Sequence, residues 1–240
     1  MIHPLKNKIL KNVKLIAFDA DDTLWENERF FRKSEDELCK ILAPYGDKKS
    51  LSDFLYEIEM ANMPDYGYGA VAFTMSLIET AVKVSRGAIP ASEIGRIMEM
   101  GRKLVRLPAT PLAGVADTLQ NLQQSGTYQL VVFTKGELLT QEGKLKRSGL
   151  LPFFDDVFIV TDKKESDYQE LCRKMGILPQ ELLMVGNSLR SDILPPLNIG
   201  ACAVYIPSEF MWQHEVIDHF EHENMTQIAT FSELIPLLEK

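Results

Sequence analysis

Val13-Lys14-Leu15-Ile16-Ala17-Phe18-Asp19-Ala20-Asp21-Asp22-Thr23-Leu24-Trp25 is the stretch around which the chain is organised. Leu15, Ile16, Ala17 and Phe18 form a short apolar run, as expected for a strand covered on both faces in a parallel sheet. Asp is a poor strand residue, so the strand should end there, with Asp19 and Asp21 at its carboxyl end. In open α/β sheets that edge is where ligands bind. Carboxylates two residues apart repel unless a cation joins them, and hard oxygen ligands suit Mg²⁺. The plainer alternative, an Asp-rich turn capping a helix, has to be weighed against the rest of the chain.

At 240 residues the chain can bury a real core, as one domain or one domain with an insert. Its 45% hydrophobic and 25% charged content is that of an ordinary globular protein. A net charge of −8 offers no attraction to nucleic acid or an anionic membrane. Lys6, Lys8, Lys11 and Lys14 form a local basic arm, read as a solvated lead-in. No apolar run is long enough to span a bilayer, and the N-terminus has no secretory apolar region. Cys39, Cys172 and Cys202 show no metal or redox spacing, which suits buried free thiols in a cytoplasmic protein.

Downstream, residues 26–107 read as four consecutive helices without a strand. Phe30, Phe31, Leu38, Ile41 and Leu42 mark the first, which Pro44 and Gly46 stop. Ser50 can cap a short second helix through Ile58, the third runs from Val71 to Val84, and the fourth opens at Pro90 and Ser92. This is an inserted helical module. Its Met60, Met63, Met75, Met98 and Met100 are core residues or an adaptable apolar surface.

Strand–helix alternation then resumes. Strands are expected at 130–133, 157–160, 182–185 and 201–206, with helices or short crossovers between them. The fold class is therefore α/β: a parallel sheet with right-handed crossovers, Rossmann-like, made of 1–25 and 108–240 with the insert at 26–107. Chemistry recurs at the strand ends. After Asp19 and Asp21 come Thr134, then Lys163 or Lys164, then Asn187 and Asp192. On one edge these supply a carboxylate nucleophile, a second carboxylate, a hydroxyl, an ammonium and a metal-binding amide–carboxylate pair. Phosphoryl transfer needs such a set, because cations must cancel the repulsion between an anionic electrophile and an attacking carboxylate.

The quoted residues resemble the motifs of the haloacid dehalogenase-like (HAD) hydrolases over nearly the whole chain. Phe-Asp19-Ala-Asp21-Asp-Thr-Leu is similar to the family's first motif and Val-Val-Phe-Thr134-Lys-Gly to its second. Lys163, five residues before Tyr168, fits the third better than Lys164, and Gly186-Asn187-Ser188-Leu-Arg-Ser-Asp192-Ile resembles the fourth. The resemblance implies a helical cap at 26–107 that selects substrate. It also implies a Mg²⁺-dependent phosphatase acting on a small phosphorylated metabolite, with Asp19 as nucleophile, Asp21 as acid and base, and Thr134 and Lys163 on phosphoryl oxygens. The metal falls to Asp19, the Asp21 carbonyl, Asn187 and Asp192. Many relatives have Asp where this chain has Asn187, which would lower its affinity for the metal. Asp21 favours phosphate esters, since the family's true dehalogenases lack that carboxylate.

Two alternatives stand beside this reading: a sugar phosphomutase of the same fold, and a phospho-accepting receiver-like switch, which needs neither the second carboxylate nor the cap. His214, His219 and His222 do not make a workable zinc helix, because a spacing of five puts histidines roughly 140° apart. A polar helix face is expected there, with Trp212 and His214 able to reach the active-site rim.

Overall fold

A computed structural model describes residues 10–239. Lys6 and Lys8 of the basic arm lie outside them. Lys11 is exposed, and Lys14 pairs with Glu181 at 2.5 Å.

The chain divides into two compact units. The first, built from 1–28, 109–135 and 145–240, holds a six-stranded parallel sheet. Its strands are β1 (Leu15–Phe18), β2 (Gln129–Lys135), β3 (Asp156–Val160), β4 (Leu182–Gly186), β5 (Cys202–Tyr205) and β6 (Met225–Gln227). Their order is β3-β2-β1-β4-β5-β6, so chain direction across the sheet reverses beside β1. Phe18 is level with Val132 of β2 and Val185 of β4. Asp19, Thr134 and Asn187 thus emerge at one edge, at the switch point where such sheets bind ligands.

The apolar run of β1 is divided between the two faces. Ile16 and Phe18 join Val132, Leu183, Val185 and Phe231 on one face, and Leu15 and Ala17 join Val131, Phe133, Tyr168 and Met184 on the other. All four β1 side chains are fully buried. Burying one such large side chain stabilises the fold by about 1.5–3 kcal/mol, so this strand tolerates no polar substitution on either face. The three thiols are free and buried, with Cys202 on one face of the sheet, Cys172 on the other and Cys39 in the helical unit.

The second unit comprises Arg29–Pro108 and Gly136–Lys144. It differs from the expected insert by taking in 136–144, which the sequence places after β2. Four helices occupy its main segment: α1 (Glu28–Leu42), α2 (Lys48–Tyr66), α3 (Ala70–Val84) and α4 (Ala91–Val105). Asp47, not Ser50, caps α2: its Oδ1 accepts from Ser50 N at 3.1 Å, and the helix runs 19 residues rather than ending at Ile58. Leu38, Leu42, Leu55, Leu77 and Ile97 form its core. Gly101 lets α4 approach α3 closely, since a Cβ there would stand 2.1 Å from Thr74 Oγ1. Met100 packs against this core, while Met75 and Met98 are exposed.

Two further expectations are corrected. Sequence patterning missed β6, a three-residue strand that follows a polar stretch of sequence. The expected helix across the histidines is a single turn, Gln213–Glu215, with extended backbone at Trp212 and Val216. Glu215, the last residue of that turn, is held by the hydroxyls of Ser188 and Ser191.

Candidate active site

Asp19 is the first residue beyond β1, and its N–H extends the sheet ladder by donating to Val185 O at 2.9 Å. That bond fixes the backbone from which the buried carboxylate projects. Lys163 Nζ donates to Asp19 Oδ1 at 2.6 Å and to Asp192 Oδ1 at 2.7 Å. Lys163 is 3% exposed, whereas the Lys164 side chain points to solvent and pairs with Asp162 at 3.2 Å. Of the two candidate lysines, Lys163 is the one the fold brings to Asp19.

The turn after β4 delivers Asn187 and Asp192. Residues 189–193 form one wide π-type turn, closed by Leu194 N–H on Leu189 O and entered through Asp192 N on Ser188 O at 2.8 Å. Such turns are frequent at functional sites. Ser188 N donates to Asp192 Oδ2 at 2.9 Å, which folds the carboxylate back over Gly186. A Cβ on Gly186 would lie 2.4 Å from Asp192 Cγ, so only glycine admits this arrangement.

Thr23, four residues after Asp19, has its hydroxyl oxygen 3.1 Å from Asp19 Oδ2 and 3.2 Å from Asn187 Oδ1. Sequence reading assigned it no role, and its second partner lies 164 residues away. Asp21 accepts from Trp25 Nε1 at 2.7 Å, a bond to a fully buried indole that orients an otherwise half-exposed carboxylate. Asp22 adopts φ 62°, and its carboxylate accepts from the N–H groups of Asn27 and Glu28 at the start of α1. Thr134 is buried two residues beyond Val132, on the strand next to β1. Asp19, Lys163, Asn187 and Asp192 therefore converge, Asp21 follows Asp19 beyond β1, Thr134 stands near the end of the neighbouring β2, and Thr23 and Trp25 are additions that only the fold reveals.

The Asp19 carboxyl is raised to about 7: burial pushes it up most, Lys163 pulls it back, and Asp192 and Asp21 add to the rise. Burial also opposes the Lys163 ammonium, but the carboxylates of Asp19 and Asp192 outweigh it and hold its pKa above the ordinary value. One ammonium thus faces two buried carboxylates, and a further cation would relieve the imbalance. No three His, Cys, Asp or Glu side chains among the described residues group closely enough to hold an ion alone. The amide of Asn187 and backbone or water oxygens would have to complete a shell. A set of two carboxylates and an amide oxygen is hard and fits Mg²⁺.

These elements define a hydrolase fold with an acidic, lysine-bridged site at the switch point of a parallel sheet. A family model described as haloacid dehalogenase-like hydrolase matches residues 13–200, and the chain belongs to that family. A crystal structure of a haloacid dehalogenase-like family hydrolase from Xanthomonas campestris is 31% identical, covering 95% of this chain and 92% of the other with a TM-score of 0.83. Among curated relatives, a glyceraldehyde 3-phosphate phosphatase from Methanothermobacter thermautotrophicus is 27% identical over 94% of this chain and its own full length. The human N-acylneuraminate-9-phosphatase is 24% identical over 80% of this chain and 81% of its own.

Proposed function

We propose that the chain hydrolyses the phosphate monoester of a small metabolite through an aspartyl-phosphate, with Mg²⁺ as cofactor. The observation that carries this is the pairing of Asp19, bridged by Lys163 at 2.6 Å, with a second carboxylate two residues on, held by Trp25 at 2.7 Å. A nucleophile and a separately oriented acid are what ester cleavage requires. Relatives named as phosphatases support the same chemistry.

Asp19 forms a bond to phosphorus as the ester P–O bond breaks, and Asp21 gives its proton to the leaving alkoxide. Asp21 then takes a proton from water, whose oxygen attacks phosphorus and releases the Asp19 carboxylate. Lys163 and Thr134 hold phosphoryl oxygens as negative charge develops on them. Asp19, the Asp21 carbonyl, Asn187 and Asp192 would hold Mg²⁺, which supplies charge neutralisation at the phosphoryl group. The helical unit serves as the substrate-selecting cap. Three buried free thiols support a reducing, cytoplasmic location, and among the described residues no helix is long and apolar enough to cross a membrane. Membership of a hydrolase family weighs against a receiver-like switch.

The test is a screen of phosphorylated metabolites with released phosphate as readout, with Mg²⁺ and with a chelator. Release from at least one sugar, triose or nucleotide monophosphate, lost on chelation, is expected. Mg²⁺-independent release, or none from any ester, would contradict the proposal.

A further inference from the structure

The segment between β5 and β6 carries none of the motifs above, yet one of its side chains reaches the active-site turn. Glu215 is 8% exposed. Its Oε2 accepts from Ser188 Oγ at 2.5 Å and from Ser191 Oγ at 2.6 Å, and its Oε1 is paired with Lys135 Nζ. Lys135 Nζ also donates to Ser191 Oγ at 3.0 Å. One carboxylate therefore ties the end of β2 to the turn after β4. Burial works against its charge, but the Lys135 ammonium and the two hydroxyls outweigh that and hold its pKa at about 2.

What these serines flank gives the contact its meaning. Ser188 follows Asn187, and its backbone N–H holds Asp192 Oδ2. Ser191 precedes Asp192; its N–H donates to Ser188 Oγ at 3.0 Å, and its carbonyl accepts from Tyr168 OH at 2.8 Å. A loop anchor alone would need only one of these contacts. Here Oε2 is committed to the two serines of that turn, and Oε1 to the lysine that itself donates to Ser191.

We propose that Glu215 is a positioning residue: with Lys135 as counter-ion, it fixes the hydroxyls of Ser188 and Ser191 and so holds Asn187 and Asp192 in place to receive the metal. This rests on the reading of Asn187 and Asp192 as metal ligands. Partners that orient metal ligands through hydrogen bonds characteristically matter about 10–100-fold in metal affinity.

Calorimetric titration of Mg²⁺ alone, without substrate, tests it in wild type, Glu215→Gln, the Ser188→Ala/Ser191→Ala double variant and Asp192→Asn. Melting temperatures in chelator monitor folding. Glu215→Gln and the double-serine variant should bind Mg²⁺ about 10–100-fold more weakly. Adding Lys135→Met to Glu215→Gln should not restore affinity, because the ordering of the turn and not the stranded ammonium is at issue. If Glu215→Gln fails to fold, the serine variant, which keeps the Glu215–Lys135 pair, decides alone. Wild-type affinity in the folded Glu215→Gln and serine variants, with Asp192→Asn weakened, would overturn the role of Glu215 and leave the ligand reading standing. No binding by wild type, or unchanged binding by Asp192→Asn, would overturn both.

Discussion

Trp25 donates its indole N–H to Asp21 Oδ1 at 2.7 Å, so the carboxylate assigned to proton transfer is aimed by a side chain locked in the core. Trp25→Phe keeps most of the buried ring and removes the donor. A hydrogen bond to a charged group is typically worth about 1.5–3 kcal/mol. Turnover should therefore fall roughly tenfold or more, with Mg²⁺ affinity unchanged by calorimetry. A variant with wild-type kcat would show that Asp21 needs no such orientation.

At Asn187 the amide oxygen and Asp19 Oδ2 converge on the single hydroxyl of Thr23. Asn187→Asp places an anionic oxygen where a neutral one now stands, and should lower the Mg²⁺ concentration giving half-maximal activity. An unchanged or raised concentration would remove Asn187 from the ligand set.

Gly186→Ala would set a methyl group 2.4 Å from Asp192 Cγ. Overpacking of this kind costs about 1–3 kcal/mol, and here the side chain that must give way is the one bonded to Lys163 and Ser188 N. Lower stability in chemical denaturation, together with loss of activity, is expected. Full activity would mean that Asp192 can shift without consequence.

The helical unit offers a test of opposite sign. Thr80 Oγ1 is buried and has no hydrogen-bond partner among the described residues. An unsatisfied buried hydroxyl costs about 1–3 kcal/mol, so the near-isosteric Thr80→Val should raise the melting temperature without touching catalysis. A lower melting temperature would show that the hydroxyl is satisfied in solution.

What could be read from sequence followed distance along the chain. The β1 run, the acidic turn after it and the polar strand ends are local patterns, and they located Asp19, Thr134, Lys163, Asn187 and Asp192 at one sheet edge. Choosing Lys163 over Lys164 rested on motif spacing, and the geometry sets Lys163 against Asp19. Thr23–Asn187 and Lys135–Glu215 join residues 164 and 80 positions apart, and no periodicity records such pairs. The three-residue β6 falls below the length at which alternation is visible, and Glu215 looked like part of a polar helix face because its partners lie elsewhere in the sequence.

Glu215 also gives a pH signature. Its folded-state pKa, about 2, lies below the ordinary 4.5, so its contribution to stability is fully present above pH 4.5 and is lost as pH falls toward 2. The difference in unfolding free energy between wild type and Glu215→Gln should shrink from pH 6 to pH 3. A difference independent of pH would mean that the charge of Glu215 does not matter to the fold.

The covalent step is tested most directly by intact-protein mass spectrometry of acid-quenched reactions with nitrophenyl phosphate. That leaving group scarcely needs a proton, so Asp21→Asn should still form the aspartyl-phosphate but hydrolyse it slowly, since general acid–base help is typically worth about 10²–10⁴-fold. A phosphorylated species should accumulate in Asp21→Asn, map to the peptide containing Asp19 and be absent from an inactive Asp19→Asn. Normal turnover by Asp19→Asn, or an Asp21→Asn variant that behaves as wild type, would contradict the mechanism.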